Sequence, residues 1–387
     1  MGINILLCGD FYPFPEMEYI IKGKTDSEAK LIFGDLLPYI ERSDIAALNI
    51  EFPLTTQNRG EKKIGPNLKG NPICITPVCE AGFNLAFLSN NHILDFGIEG
   101  MNDTITLLEH NGIKHVGCGK NLAEARIPYI YEKDDIKIAI LNFSEIEFNC
   151  ATELHGGANP LDIYQNIEDI RMAKNYCDHV VVVVHAGQDF NHYPPPFMVQ
   201  RFRKYATEGA SIIACHHSHY ISGFEVYNGV PIYYGLGNVI YPKFVDIERN
   251  KTIALQIHID KYNLYAEHIP FIYNKNTLSL LNSSVYNSIM ISQIEEISKQ
   301  LKDPNLLKNK WISEMMSNLQ YYIYICNILG IPPILIKIMK KTHRFRIVKL
   351  FLKTQEKRMR LLLNLIRRDT HHDALMHILE NEVEKNI

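Results

Sequence analysis

The sequence predicts an α/β domain with mixed sheets, followed by a helical, basic C-terminal region. Three observations carry this. Through the first 240 residues, apolar runs of about six alternate with amphipathic segments. The runs are continuous, as expected of strands covered on both faces. After residue 220 adjacent strand-like stretches replace the helical segments, and beyond about 276 the chain turns helical, polar and charged. The expected domains are therefore 1–275 and 276–387.

Taken in order, the expected strands are INILLC (3–8), IAALNI (45–50), FNLAFL (83–88), IKIAIL (136–141), HVVVVV (179–184) and ASIIAC (210–215). Helices are expected over about 27–41, 97–111, 162–175 and 196–208. The second carries Ile98, Met101, Ile105 and Leu108 at helical spacing and runs into Gly112, a residue suited to the C′ position. The later strand-like stretches are GFEVYNGVPIYYGLGN, TIALQIHI and LYAEHIPFIY, and YNGV within them is a hairpin signal.

Composition fits a folded chain. It is 46% hydrophobic and 21% charged over 387 residues, enough for one large domain and an appendage. A net charge of −3 gives no general affinity for nucleic acid, and no nucleic-acid partner is expected. MGINILLCGD has no basic n-region, and Leu6 stands where a myristoylation motif wants Ser or Thr. The eight cysteines form no CxxC pair and are expected to be reduced thiols. A cytoplasmic or peripheral membrane location is the expectation, with no signal peptide or clear transmembrane anchor visible.

Polar residues recur where these strands end. They are Asp10; Asn49 and Glu51; Asn90, Asn91, His92 and Asp95; His185 and Asp189; His216, His217 and His219; and Asn238. Each has an ordinary explanation alone: Asp10 as a helix cap, NNH as a turn, His185 as a hydrogen-bonded core residue. Together, in order and expected at one sheet edge, they point to a metal site, because ligands in layered α/β folds collect beyond the carboxyl ends of strands. Carboxylate, carboxamide and imidazole suit two divalent ions such as Mn, Zn or Fe. A carboxylate can bridge such a pair, and two ions can clamp the oxygens of a phosphoryl group.

The pattern resembles the CapA (poly-γ-glutamate capsule synthesis) family, within the calcineurin-like metallophosphoesterase superfamily. The pieces that carry the resemblance are GD at 9–10, NIEFPLT at 49–55, LSNNHILDFGIEGMNDTITLLEHNGIKHVGCGKNLAEARIP at 88–128, VVVVHAGQDF at 181–190 and GASIIACHHSHYISGFEVYNGVPIYYGLGNVIY at 209–241. They span about residues 3–245. The resemblance implies two packed mixed β-sheets flanked by helices, a metallophosphatase-like four-layer sandwich, with a C-terminal helical appendage. It implies Asp10 as a terminal ligand of the first ion and Glu51 as the bridge. Asn91 and His185 would bind the second ion, and His217 and His219 would divide between the two. His216 would be a contact behind the ligands or the ligand in an alternative register. His92 would act on the phosphoryl oxygen or leaving group, with Asp95 orienting it. Asn49, Asp189 and Asn238 would support the ligands.

This chain departs from the pattern in places. Tyr12 stands where the superfamily usually has a histidine, which leaves the first ion a ligand short and makes single-ion occupancy the alternative. HAGQD, CHHSH and GLGNV stand where the family commonly has HWG.E, GHHPH and SLGNF. The implied function is a metal-dependent phosphoesterase-like hydrolase of capsule or surface-polymer synthesis, acting on a phosphoester or anionic polymer. The alternatives are a non-catalytic, polymer-binding component of a synthesis or export assembly, and a single-zinc hydrolase using His185, His217 and His219.

In the C-terminal region, YYIYICNILGIPPILIKIM (321–339) is apolar but interrupted by Pro332 and Pro333. From Lys337 to Asp369 there are twelve Lys/Arg and two acidic residues, among them Lys340, Lys341, Arg344, Arg346 and Lys349. A helical hairpin packed on the α/β domain is the plain expectation. A peripheral membrane or partner contact through 321–369 is the second, and a membrane span the third.

Overall fold

The computed structural model describes residues 2–13, 15–63, 65–241, 247–274, 279–317, 328, 330 and 357–360. The basic residues Lys340, Lys341, Arg344, Arg346 and Lys349 lie outside them, as does 321–339 apart from residues 328 and 330. No helix among the described residues is long and apolar enough to cross a membrane. The chain divides into two compact units, Met1–Trp311 and Ile312–Ile387.

Among the described residues, the first unit holds sixteen strands: β1 (Ile3–Phe11), β2 (Ile45–Ile50), β3 (Leu85–Phe87), β4 (Lys114–Val116), β5 (Cys118–Gly119), β6 (Tyr129–Lys133), β7 (Ile136–Ser144), β8 (Gly157–Ala158), β9 (His179–Ala186), β10 (Ile212–His217), β11 (Phe224–Tyr227), β12 (Val230–Tyr233), β13 (Asn238–Ile240), β14 (Lys251–Ile259), β15 (Leu264–Asn274) and β16 (Ser279–Leu281). Eight form one mixed sheet in the order β16-β15-β14-β1-β2-β3-β4, with β13 also beside β1. Six form a second in the order β11-β12-β10-β9-β7-β6. Neighbours from β1 to β4 run parallel, as do β7, β9, β10 and β12.

The continuous apolar runs are explained by burial on both faces. Ile3, Ile5 and Leu7 of β1 and Val181 and Val183 of β9 fill the layer between the sheets. Leu6 and Cys8 pack outward with Met101 and Leu108 of the helix Gly97–His110. Val180, Val182 and Val184 pack outward with Ile170 and Phe202 of the helices Ile163–Tyr176 and Pro196–Glu208. Each fully buried side chain of this size contributes about 1.5–3 kcal/mol. Met290 and Ile294 of the helix Ser284–Gln300 join the layer of β1 and β9.

YNGV forms the expected hairpin between β11 and β12, with Asn228 at φ 50° and Gly229 at φ 82°, the paired positive φ of a type I′ turn. The expected helix over 27–41 is instead three short pieces, Asp26–Ala29, Lys30–Leu36 and Leu37–Glu41. The break is at Gly34, with φ 44° and ψ −120°. A Cβ there would lie 2.1 Å from the Leu280 carbonyl oxygen, so the chain bends to lay bare backbone against β16.

Gly9 is under a similar constraint beside Asp10. A Cβ on it would lie 1.9 Å from the Gly237 carbonyl oxygen. Gly9→Ala is expected to destabilise the fold by about 1–3 kcal/mol, the usual cost of overpacking. Urea denaturation measures this, and a change below about 0.5 kcal/mol would count against the close approach of β1 to the 236–238 turn.

Candidate metal centre

The strand-end residues do not share one sheet edge, as the sequence suggested; they come from two sheets whose carboxyl ends meet. Asp10 and Asn49 are next to last in β1 and β2, Glu51 directly follows β2, and Asn91 follows β3, all at strands of the larger sheet. His185 lies near the end of β9, and His216 and His217 end β10, in the smaller sheet. Parallel register aligns each set: Asp10 pairs with Asn49 and Asn238, and His216 with His185. The His217 N–H donates across to Asp10 Oδ2 at 3.0 Å.

Among the described residues, three overlapping triads have atoms close enough to hold a metal ion: Asp10, Glu51 and His219; Glu51, His185 and His217; and Asp10, His185 and His216. In the second, His185 Nε2 lies 2.9 Å from His217 Nδ1, 3.0 Å from Asn91 Oδ1 and 3.8 Å from Glu51 Oε1. In the first, His219 Nε2 is 4.0 Å from the same Glu51 Oε1. His219 Nδ1 donates to Asn238 Oδ1 at 2.8 Å, which fixes the tautomer and leaves Nε2 with its lone pair.

Glu51 is the pivot. Asn49 Nδ2 donates to Glu51 Oε2 and to Asp10 Oδ1, both at 2.8 Å. Glu51 Oε1 is buried and has no hydrogen-bond partner, and the residue is 0% exposed. An uncompensated buried carboxylate oxygen between two imidazoles is costly in a protein and well suited to a cation. His216 Nδ1 lies 2.8 Å from Asp10 Oδ1 and 2.9 Å from His185 Nδ1, which places it with them in the third triad. The donors are oxygen and nitrogen; Cys215, next in the chain, turns its thiol to the Ala186 carbonyl at 3.3 Å.

The electrostatics express the same crowding. Burial, reinforced by Asp10, pushes the Glu51 carboxyl well above its usual range. Burial works the same way on Asp10 but is outweighed by His216, His185 and His219, which hold it well below. Burial and the His217 ring push His185 well below the ordinary imidazole value. Burial also lowers His219. His217 goes the other way: burial opposes its charge, but Asp189, Glu145 and Asp10 outweigh it. His217 and His219 have φ of 105° and 59°, a left-handed backbone rare outside glycine and typical of sites where surrounding structure enforces strain.

The His92 ring lies beside this cluster in sequence and is held by Asp95: Nδ1 is 2.7 Å from Asp95 Oδ2. Asp189 is exposed and reaches His217 Nε2 at 3.4 Å. Tyr12 packs edge-on against Phe52 and Tyr241 and lies 5.9 Å from the His219 ring. Sequence reasoning missed Glu145 and Lys63. Glu145 Oε2 accepts from the Gly187 N–H at 3.0 Å and lies 4.0 Å from His217 Nε2. It directly follows β7, so the strand-end rule that found the others would have found it. Lys63 sits in a polar loop with no periodicity to mark it.

Residues 4–243 match the family described as bacterial capsule synthesis protein PGA_cap. The chain belongs to the PGA_cap family. Among its relatives, the PGA biosynthesis protein CapA of Bacillus subtilis (strain 168) is 31% identical over 249 residues, 63% of this chain and 65% of that one. The capsule biosynthesis protein CapA of Bacillus anthracis is 28% identical over 240 residues, 59% and 57% of the two chains. The chain thus spans less than two thirds of the length of either relative. A solved 5'-nucleotidase from Candida albicans SC5314 overlaps 78% of this PGA_cap chain and 57% of its own, at 12% identity and a TM-score of 0.40, too loosely to bear on fold or chemistry.

Proposed function

We propose that the protein is a metal-dependent phosphoesterase-like hydrolase of the calcineurin-like kind, serving capsule or poly-γ-glutamate synthesis. The observation that carries this is Glu51 Oε1, buried, unpartnered and within 4.0 Å of an imidazole nitrogen on either side. Asp10, Glu51 and His219 would hold one ion, and Glu51, Asn91, His185 and His217 a second. Divalent ions of the Mn, Zn or Fe kind would supply Lewis acidity toward the oxygens of a phosphoryl group. Asn49 braces the two carboxylates, His216 backs Asp10 and His185, and Asn238 orients His219. With Nδ1–H given to Asp95, His92 keeps Nε2 for the phosphoryl oxygen or leaving group. The names of the relatives, PGA biosynthesis and capsule biosynthesis proteins, support a place in making such a polymer; the substrate would be the anionic polymer or a phosphoester, and the partners capsule synthesis or export proteins.

Tyr12 favours a second reading. It packs between Phe52, Tyr241 and His219, where the superfamily places another imidazole. In that reading the metal stabilises a polymer-binding component, and the basic segment 337–369 holds the polyanion or a membrane surface.

Metal binding comes first in the test. Adding Mn²⁺ or Zn²⁺ to the chelated protein is expected to raise its melting temperature, since a ligand at 100 times its Kd stabilises by about 2.7 kcal/mol. His217→Ala is expected to abolish the rise and lower the metal content by mass spectrometry; full loading of that variant would count against the ligand set. A panel of phosphomonoesters, phosphodiesters and γ-glutamyl peptides, assayed on the loaded protein, then separates the two readings. No turnover on any of them, with metal bound, would favour the binding component.

A further inference from the structure

Three residues of the loop after Thr55, namely Glu61, Lys63 and Leu68, converge on Asp95. The Glu61 N–H donates to the Asp95 carbonyl oxygen at 2.9 Å, and the Leu68 N–H to Asp95 Oδ2 at 2.6 Å. Lys63 Nζ forms an ion pair with Asp95 Oδ1 and lies 3.3 Å from His92 Nδ1. These groups are enclosed: the side chains of Lys63 and Asp95 are 6% and 0% exposed. Phe148 closes the far side, its ring 4.4 Å from the ammonium.

The hydrogen-bond directions follow. A carboxylate only accepts, so at 2.7 Å His92 Nδ1 carries the proton and gives it to Asp95 Oδ2. Nδ1 therefore has no lone pair for the ammonium, and Lys63 donates to Asp95. Asp95 is then held on both oxygens, by Leu68 and His92 on one and by Lys63 on the other. Without Lys63, a fully buried carboxylate would keep only neutral donors, and a buried charge without a counter-charge is strongly disfavoured.

We infer that Lys63 is a positioning residue. Its ammonium locks the Asp95 carboxylate, and through it the ring plane and Nδ1–H tautomer of His92, so that Nε2 is the nitrogen presented to substrate. This rests on the proposed role of His92. The Lys63 ammonium is spent on Asp95, and its side chain is only 6% exposed.

The test reads the His92 ring without needing turnover. Long-range ¹⁵N–¹H correlation of protein labelled at histidine, with His92→Gln to assign the signal, is expected to show a single Nδ1–H tautomer in the wild type. Lys63→Met should lose it, giving a ring that averages between tautomers, while Lys63→Arg should retain it. If Lys63→Met does not fold, Lys63→Gln, which keeps a donor without the charge, should show the same loss. On a phosphoester that the wild type turns over, Lys63→Met should lower kcat about 10–100-fold, the usual effect of removing a supporting partner, with KM and metal content unchanged. A wild-type tautomer in the neutral variants would overturn the inference, and so would loss of the tautomer in Lys63→Arg. A wild type with no phosphoester activity removes the hydrolase reading, whereas the spectra still decide the role of Lys63.

Discussion

Glu51→Gln is expected to strip the second metal ion and, with it, hydrolytic activity, while leaving the fold intact. Gln has the same size and can still meet Asn49 on one side. It lacks the charge that offsets two adjacent cations. Removing partners that merely support a metal costs about 10–100-fold in affinity, and loss of a shared ligand should exceed that. The second ion should leave before the first, since its other candidate ligands are neutral, whereas Asp10 stays with the first. Metal stoichiometry after dialysis at micromolar free metal reads this directly. A companion measurement guards against misfolding. In the chelated protein, Glu51 is a buried carboxyl with an orphaned oxygen, so metal-free Glu51→Gln should melt no lower than metal-free wild type. Wild-type stoichiometry in the variant would move the bridge to another residue.

His92→Ala is expected to do the reverse: keep the metal and lose the chemistry. His92 belongs to none of the three candidate triads, and its Nδ1 is committed to Asp95. Removing a positioned acid or base typically costs about 10²–10⁴ in rate. Turnover of a phosphoester should fall by that factor at unchanged metal content. A parallel fall in metal and turnover would make His92 a ligand.

The sheets were legible because their signal is local. A run such as Val180–Val184 reads as a strand covered on both faces, and alternate residues do enter different layers. The hairpin at Asn228–Gly229 was legible because positive φ selects those residue types. The broken helix at 27–41 was not, since its cause, the Leu280 carbonyl against Gly34, lies about 246 residues away along the chain. The same distinction governs the site. Asp10, Glu51, His185 and His217 stand at strand ends, where position in the fold can be inferred from position in the sequence. That they meet across two sheets follows from how the sheets stack, which no strand encodes by itself. Lys63 reaches the site through the tertiary path of a loop, and the left-handed backbone at His217 and His219, which aims the two rings, leaves no trace in composition.

The split of candidate ligands between sheets would make a bound ion a rivet through the seam. Asp10, Glu51 and Asn91 ride on the larger sheet, and His185 and His217 on the smaller. Prising the sheets apart would then require breaking coordination bonds as well as unpacking Leu7 from its layer. Opening of the seam would then carry the cost of releasing the ion, and loading would slow it. Amide exchange in β1 and β10 would fall together on loading, so the ion would set how long the protein persists as well as what it does.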